Sequence, residues 1–486
     1  MAAPDDANVV GWDGPLDPAN PQNWTRRRKW AIVLCVSGLA FIDSIASSTS
    51  STAITSLIDA FGGDTGNKVL ATMVVSVYTL GIAIGPILVA PLSELYGRLW
   101  LYHGCNMLFI VFNSACALST NMAMLIAFRL LAGCAGSAPV VLGAGTVADL
   151  MTLEERGTAT AVWAAGSIIG PVIGPVAGGF LTQAGGWRWS FWALTITAGV
   201  VVVPCFLVMR ETYSVTILKR KTEKLKKQTG NTALRSMLDT LEPAKAFRTS
   251  IMRPLVMFFT SPALALLGLY SAVSLSFLYI LLTTFSKVYI EQYHFSVEIS
   301  GLTTLGQGIG MLLGQAFYAT ITGRTVRKHK ARGDYKPEHR LPPMIVGSLL
   351  APIGLFWYGW TVEKRLYWLI SVIGTVPIGF GFMITLYAPI LYIVDAYTLH
   401  AASATAGVVI LRSLFGSFVP LAAFPLYEKL GFGWGNSLLG FIALLLVPIP
   451  ALFVRFGETL RARYSGPATK WDSEGVMESQ DGGTKE

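Results

Sequence analysis

The segment WAIVLCVSGLAFIDSIASSTSST, residues 30–52, is apolar over a length that crosses a bilayer as a helix, which takes about 20 residues. One acid interrupts it. Asp43 stands inside the run, where an ionised side chain costs about 2.5–3.5 kcal/mol on insertion scales. A helix that keeps such a residue turns it toward a partner or a cavity, not toward lipid.

Outward from this segment, similar runs recur along the chain. Twelve spans are expected: residues 30–52, 69–92, 99–119, 123–149, 158–183, 187–209, 255–287, 298–322, 342–362, 366–394, 402–425 and 435–455. Composition agrees, with 53% hydrophobic and 13% charged residues, against roughly 25% charged in ordinary soluble domains. The sequence therefore predicts an all-α polytopic membrane protein with 12 transmembrane helices in two six-helix halves. No short apolar core with a small-residue cleavage site precedes Trp30, so span one is expected to serve as an uncleaved anchor. Cys35, Cys105, Cys116, Cys134 and Cys205 all fall in spans and form no CxxC pair. They are expected as packing thiols, with no disulfide framework and no metal site.

With the N-terminus placed in the cytoplasm, 29 of the 37 Lys and Arg residues fall on the cytoplasmic side, six opposite and two inside spans. That bias sets both termini in the cytoplasm by the positive-inside rule. The net charge of +9 is then a topological feature rather than a nucleic-acid footprint, and LKRKTEKLKK is expected against anionic headgroups. The expected divisions are a cytoplasmic segment 1–29, a six-helix bundle 30–209, a basic linker 210–253, a second bundle 254–456, and a polar, disordered tail 457–486. Two six-span halves around a linker is a layout of duplicated secondary transporters. GIAIGPILVAPLSELYGR (81–98) and GQGIGMLLGQAFYATITGR (306–324) both close on Gly-Arg, although the second lacks the acid Glu94 of the first.

In APLSELYGRLW (90–100), Gly97 permits a tight turn. Glu94 can pair with Arg98 or face the positive end of a neighbouring helix. The stretch resembles the cytoplasmic signature of the major facilitator superfamily, in the Pro-Leu-Ser-Glu-x-Tyr-Gly-Arg form of the fungal drug:proton antiporter branch. Ala90, Leu95 and Leu99 depart from the broader pattern. NPQNW (20–24) and YIVDAYTLHAASATAGVVILRSLFGSFVPL (392–421) resemble the same branch. The resemblance implies the major facilitator fold, a midplane cavity opened to each side in turn, a proton gradient in place of any cofactor, and a monomer.

Span four reads LIAFRLLAGCAGSAP, with Arg129, Gly133, Gly136 and Ser137 on one face. It resembles the superfamily's proton-coupling Arg-x-x-x-Gly element. VADLMTLEERGTA then places Asp149, Glu155 and Arg156 where the resemblance expects inner-gate charges, alongside Glu94, Gly97 and Arg98. In GSIIGPVIGPVAGGF, Gly166, Gly170, Gly174 and Gly178 recur every fourth residue and form a bare ridge for close helix approach. Pro171 and Pro175 remove backbone donors. Small residues at this spacing mark tight packing in any membrane protein. The doubled Gly-Pro followed by Gly178-Gly179 resembles the antiporter motif that separates exporters from uptake symporters, and so implies export.

At 1.5 Å per residue, Asp43 falls about 10 Å and Arg129 about 9 Å from the same edge of the hydrocarbon core. The resemblance sets spans one and four on facing cavity walls. Asp43 is expected to take and release a proton, with Arg129 tuning it, since a nearby cation favours an ionised carboxylate and desolvation favours the neutral acid. The pair could instead be a structural bridge, or Asp43 could hold a cationic substrate. Ser47, Ser50 and Ser51 extend a polar stripe from Asp43.

In the second half Tyr387 and Asp395 share a face of span ten. Tyr270, Tyr279, Tyr387 and Tyr392 are candidates for an aromatic cavity wall suited to flat or cationic ligands, or for packing and interfacial anchoring. Arg412, mid-span in eleven, needs a partner that the sequence does not identify. The expected function is proton-coupled efflux of a hydrophobic or cationic small molecule, a drug, toxin or secondary metabolite. The alternative is a proton symporter importing a nutrient or polyamine. His103 and His400 lack a catalytic constellation, and no Gly-Lys-Ser/Thr loop points to ATP-driven transport.

Overall fold

The computed structural model describes residues 8–61, 65–238, 256–397 and 401–463. It is a helical membrane protein of twelve spans. Spans one to six are Arg26–Thr49, Thr65–Tyr96, Arg98–Ala117, a pair broken at Ser137 (Met122–Gly136 and Ala138–Leu150), Leu153–Gly185 and Trp187–Val208. Spans seven to ten are Pro262–Tyr293, Val297–Leu302 with Leu305–Arg332, Pro342–Glu363 and Trp368–Ala396. Span eleven is Ala401–Phe418. A longer helix, Ala423–Leu446, breaks at Gly431 (φ 71°) and continues after Val447 as Pro448–Arg463 to complete span twelve.

The chain divides into two compact units: Met1–Ser250 with Ser296–Leu302, and Ile251–Phe295 with Thr303–Glu486. In the first, span one lies along span five because the glycine ridge leaves no side chains between them. A Cβ on Gly166 or Gly178 would strike the carbonyls of Ser37 or Thr49, and one on Gly170 or Gly174 would strike Ser44 or Ser48. Farther along the ridge, Gly179 and Pro175 meet Val297 and Gly301 of the short Val297–Leu302 helix. Apolar side chains including Ile32, Val36, Tyr102 and Leu142 fill the rest of the unit. The second unit packs around Leu267, Tyr270, Met344, Tyr392 and Val408.

The linker is not the plain hydrophilic loop that its composition predicts. It carries a helix, Ser214–Thr229, ended by Gly230 in the left-handed region (φ 70°), and then a two-residue strand, Arg235–Ser236. That strand pairs in parallel with Val9–Val10. Lys221 of the helix turns inward to the N-terminal segment, donating to the Gly11 carbonyl at 3.1 Å and to Asp13 at 2.6 Å. Beside it, buried Asp17 accepts the backbone N–H groups of Asp13 (2.9 Å) and Ala19 (2.8 Å). Burial pushes the Asp17 carboxyl up, but those N–H donors and Lys221 outweigh it and hold the group below the usual carboxylate range. Linker residues 239–253, His400 and tail residues 464–486 lie outside the described residues.

All five cysteines are free thiols, with Cys105, Cys116 and Cys205 buried and Cys35 and Cys134 half-buried.

Candidate functional site

Asp43 and Arg129 are both buried inside the first unit, 3% and 0% exposed. Tyr78 of span two links them. Its phenol donates to Asp43 Oδ1 at 2.5 Å, and its ring lies 4.2 Å below the Arg129 guanidinium. Arg129 Nε donates to the Val74 carbonyl at 2.9 Å, and a terminal nitrogen donates to the Ala46 carbonyl at 3.0 Å. The latter bond follows from where span one stops. Its helix ends at Thr49, so the Ala46 carbonyl is one of the last four, which have no helical partner. A cation is also favoured at that helix end.

Glycines make the cluster possible. A Cβ at Gly81 would collide with the backbone of span four, and one at Gly133 with the Tyr78 carbonyl, so spans two and four meet backbone to backbone. A Cβ at Gly136 would collide with both the Asp43 carboxylate and the Tyr78 hydroxyl. Sequence reasoning found the two charges and Gly136 but missed Tyr78. The available signal was a tyrosine far from either span end, because a buried phenol requires a polar partner.

The expected serine stripe is shorter than predicted. Ser47 is buried and its hydroxyl donates to the Ser44 carbonyl of its own helix at 2.8 Å. Ser50 and Ser51 lie beyond Thr49, the last residue of the helix, and are buried.

At the span two–three junction, Gly97 takes φ 94°, the left-handed region that the turn requires. Arg98 does not pair with Glu94. Its Nε donates to Asp149 Oδ2 at 2.6 Å, whereas Glu94 is exposed and makes no ion pair among the described residues. The helix N-terminus expected to attract Glu94 is held by Glu211 instead, which accepts the N–H groups of Arg98 (3.0 Å) and Leu99 (3.3 Å). An acid there satisfies orphan donors and complements the helix dipole. Glu211 lies 113 residues from Arg98, and nothing local in the sequence announces the contact. Arg156 donates to the Ala148 carbonyl at 3.0 Å. Glu155 makes no ion pair among the described residues.

The second unit holds an equivalent clamp, though not at Gly323–Arg324, where the sequence repeat points. The helix runs through those residues to Arg332. Arg340 Nε, just before span nine, donates to Asp395 Oδ2 near the end of span ten at 2.5 Å, and the Tyr335 phenol donates to the same oxygen. The aromatic candidates separate. Tyr270 and Tyr392 belong to the hydrophobic core, and the Tyr392 hydroxyl reaches Glu338 at 3.4 Å. Tyr279 is buried on span seven, and Tyr387 is half-buried on span ten.

A twelve-span helical fold in two units, with charges buried inside its helices, defines a membrane transporter. Residues 36–420 match the family described as Major Facilitator Superfamily, and the chain belongs to that superfamily. It is 49% identical over 461 residues to "Efflux pump radE" of Floropilus chiversii, covering 94% of this chain and 85% of that one. It is 46% identical over 458 residues to "MFS-type transporter penM" of Penicillium rubens, covering 94% and 90%. Among solved structures, the xylose transporter XylE from E. coli superposes with a TM-score of 0.67 at 17% identity, over 88% of this chain and 98% of that one; the likeness is one of fold. The protein is a multi-pass transporter, not an enzyme.

Proposed function

We propose that the protein exports a hydrophobic or cationic small molecule, a drug, toxin or secondary metabolite, in exchange for protons, and that Asp43 is the proton carrier. The observation that carries this reading is the Asp43 carboxylate, buried 3% exposed in a span and held by Tyr78 beneath Arg129. A carboxylate in such a site gains or loses a proton according to how closely the cation and the phenol approach it. A conformational change that alters those distances alters the proton affinity, and proton binding biases the same change.

The direction of transport is supported by the ridge from Gly166 to Gly179, with Pro171 and Pro175, packed on the helix that carries Asp43, and by a relative named as an efflux pump. Arg98 and Asp149 serve as the gate clamp on the side where we place both termini, the cytoplasm. A monomer in the plasma membrane, with no nucleic-acid partner and no cofactor beyond the proton gradient, completes the reading.

The test is a toxicity screen in a pump-deficient yeast, with and without a protonophore, followed by efflux assays in vesicles. Asp43→Asn is expected to reach the membrane and lose gradient-driven export. Undiminished export by that variant, with a full response to the gradient, would refute the assignment. Lower cellular accumulation in the absence of the transporter would favour import of a nutrient or polyamine.

A further inference from the structure

Arg412 lies eleven residues into span eleven, counted from Ala401, about 17 Å along the helix and so near the bilayer midplane. Its Nε is buried and meets no hydrogen-bond acceptor, while the side chain as a whole is half-buried rather than sealed. Among the described residues no carboxylate pairs with it. The described acids of the second unit are engaged elsewhere: Asp395 with Arg340, Glu291 and Glu428 with Lys287, Glu458 with Lys336, Asp334 with His329, Glu338 with the Tyr392 hydroxyl, and Glu363 with backbone N–H groups at Phe432 and Gly433. Span ten carries Tyr387 and span seven carries Tyr279, both on helices packed against span eleven. Spans seven, ten and eleven pack against one another within the unit.

A guanidinium at membrane depth with no counter-charge is costly. Its planar fork matches the two oxygens of a carboxylate. We propose that Arg412, with Tyr387 and Tyr279, forms a subsite for an acidic group of the cargo, so that the preferred cargo is an aromatic or apolar carboxylic acid rather than a cation. The exporter reading above supplies the direction of movement, and the subsite supplies the cargo's chemistry. An anion leaving as a proton enters moves two positive charges inward per cycle, so an inside-negative membrane potential drives export together with the pH gradient.

The test uses the full chain in lipid nanodiscs without any gradient. Binding of 1-naphthaleneacetic acid and 4-biphenylacetic acid is compared with that of their amides and the corresponding amines. The native protein is expected to bind the acids about tenfold more tightly than either neutral or cationic counterpart, the scale of one charge-assisted contact. Arg412→Met is expected to abolish the preference, and Arg412→Lys to keep part of it. No acid preference in the native protein, including failure of both acids to bind, overturns the proposal, as does a preference that survives Arg412→Met. Asp43→Asn is expected to retain the preference. Acid preference without gradient-driven transport would therefore sink the coupling assignment alone, and coupled transport without acid preference would sink the subsite alone.

Discussion

Arg129 and Arg412 both stand deep inside spans, and their surroundings differ. Arg129 is fully buried, donates to two backbone carbonyls and shares Tyr78 with a carboxylate. Arg412 is half-buried and keeps a donor without an acceptor. The same residue type thus serves two ends. A cation held by the protein's own carbonyls and rings is placed to modulate a neighbour, the part proposed for Arg129 toward Asp43. One left unsatisfied by the protein has capacity for a ligand. The contrast divides the proposed labour, with proton chemistry in the first unit and cargo recognition in the second.

The most damaging change to this contrast is expected at Gly136. Gly136→Ala places a methyl group against both the Asp43 carboxylate and the Tyr78 hydroxyl. We expect export to be lost with insertion retained, scored by growth on a toxic cargo and by membrane fluorescence of a tagged protein. Wild-type export by Gly136→Ala would show that the cluster tolerates rearrangement and that the first unit's arginine is less constrained than argued.

A smaller effect is expected from Tyr78→Phe, which keeps the ring beneath Arg129 and removes only the phenol donor to Asp43. Losing one hydrogen bond to a charged group costs about 1.5–3 kcal/mol. Transport initial rates should therefore fall about tenfold or more, with a changed dependence on external pH. An unchanged pH profile would mean that Tyr78 only fills space.

Next come the two clamps, where the units should behave alike rather than differently. Arg98–Asp149 and Arg340–Asp395 are both Nε-to-Oδ2 pairs at 2.6 and 2.5 Å, with side chains 15–21% exposed. Arg98→Ala and Arg340→Ala are each expected to cost about 1–2 kcal/mol, between exposed and buried pairs, read as lowered melting temperatures in detergent. A large loss for one and none for the other would break the equivalence.

How much of this the sequence disclosed depended on range. Asp43, Arg129 and Arg412 stood out because charges are rare in apolar runs, and the four-residue glycine spacing disclosed a close-packed ridge without naming its partner, span one. Tyr78 was hidden because tyrosine is common in membrane helices and only its depth distinguishes it. The pairings made by Glu211, Arg340 and Asp395 were hidden for a different reason. Each acts on a partner far along the chain, and no periodicity encodes such a meeting. Glu94 misled because it sits beside Arg98 in sequence, while Asp149, 51 residues away, takes the pair.

The smallest effect is expected outside the membrane. Asp17→Asn removes the charge that Lys221 and two backbone N–H groups hold in place. Because the folded carboxyl lies below its ordinary value, its contribution is present at neutral pH. It fades only as the pH falls below about 4, through the folded value. The variant should expose residues 8–24 to limited proteolysis at pH 7 and leave transport unchanged.

The pairing of Val9–Val10 with Arg235–Ser236 also orders events during biosynthesis. The early strand has nothing to dock on until translation has passed position 236, by which time six hydrophobic segments have been synthesised. Completion of that small sheet ties the leading segment to the first six spans before Ser296–Leu302 is added to the unit, and a ribosome stalled before it would leave the leading residues open to chaperones and proteases.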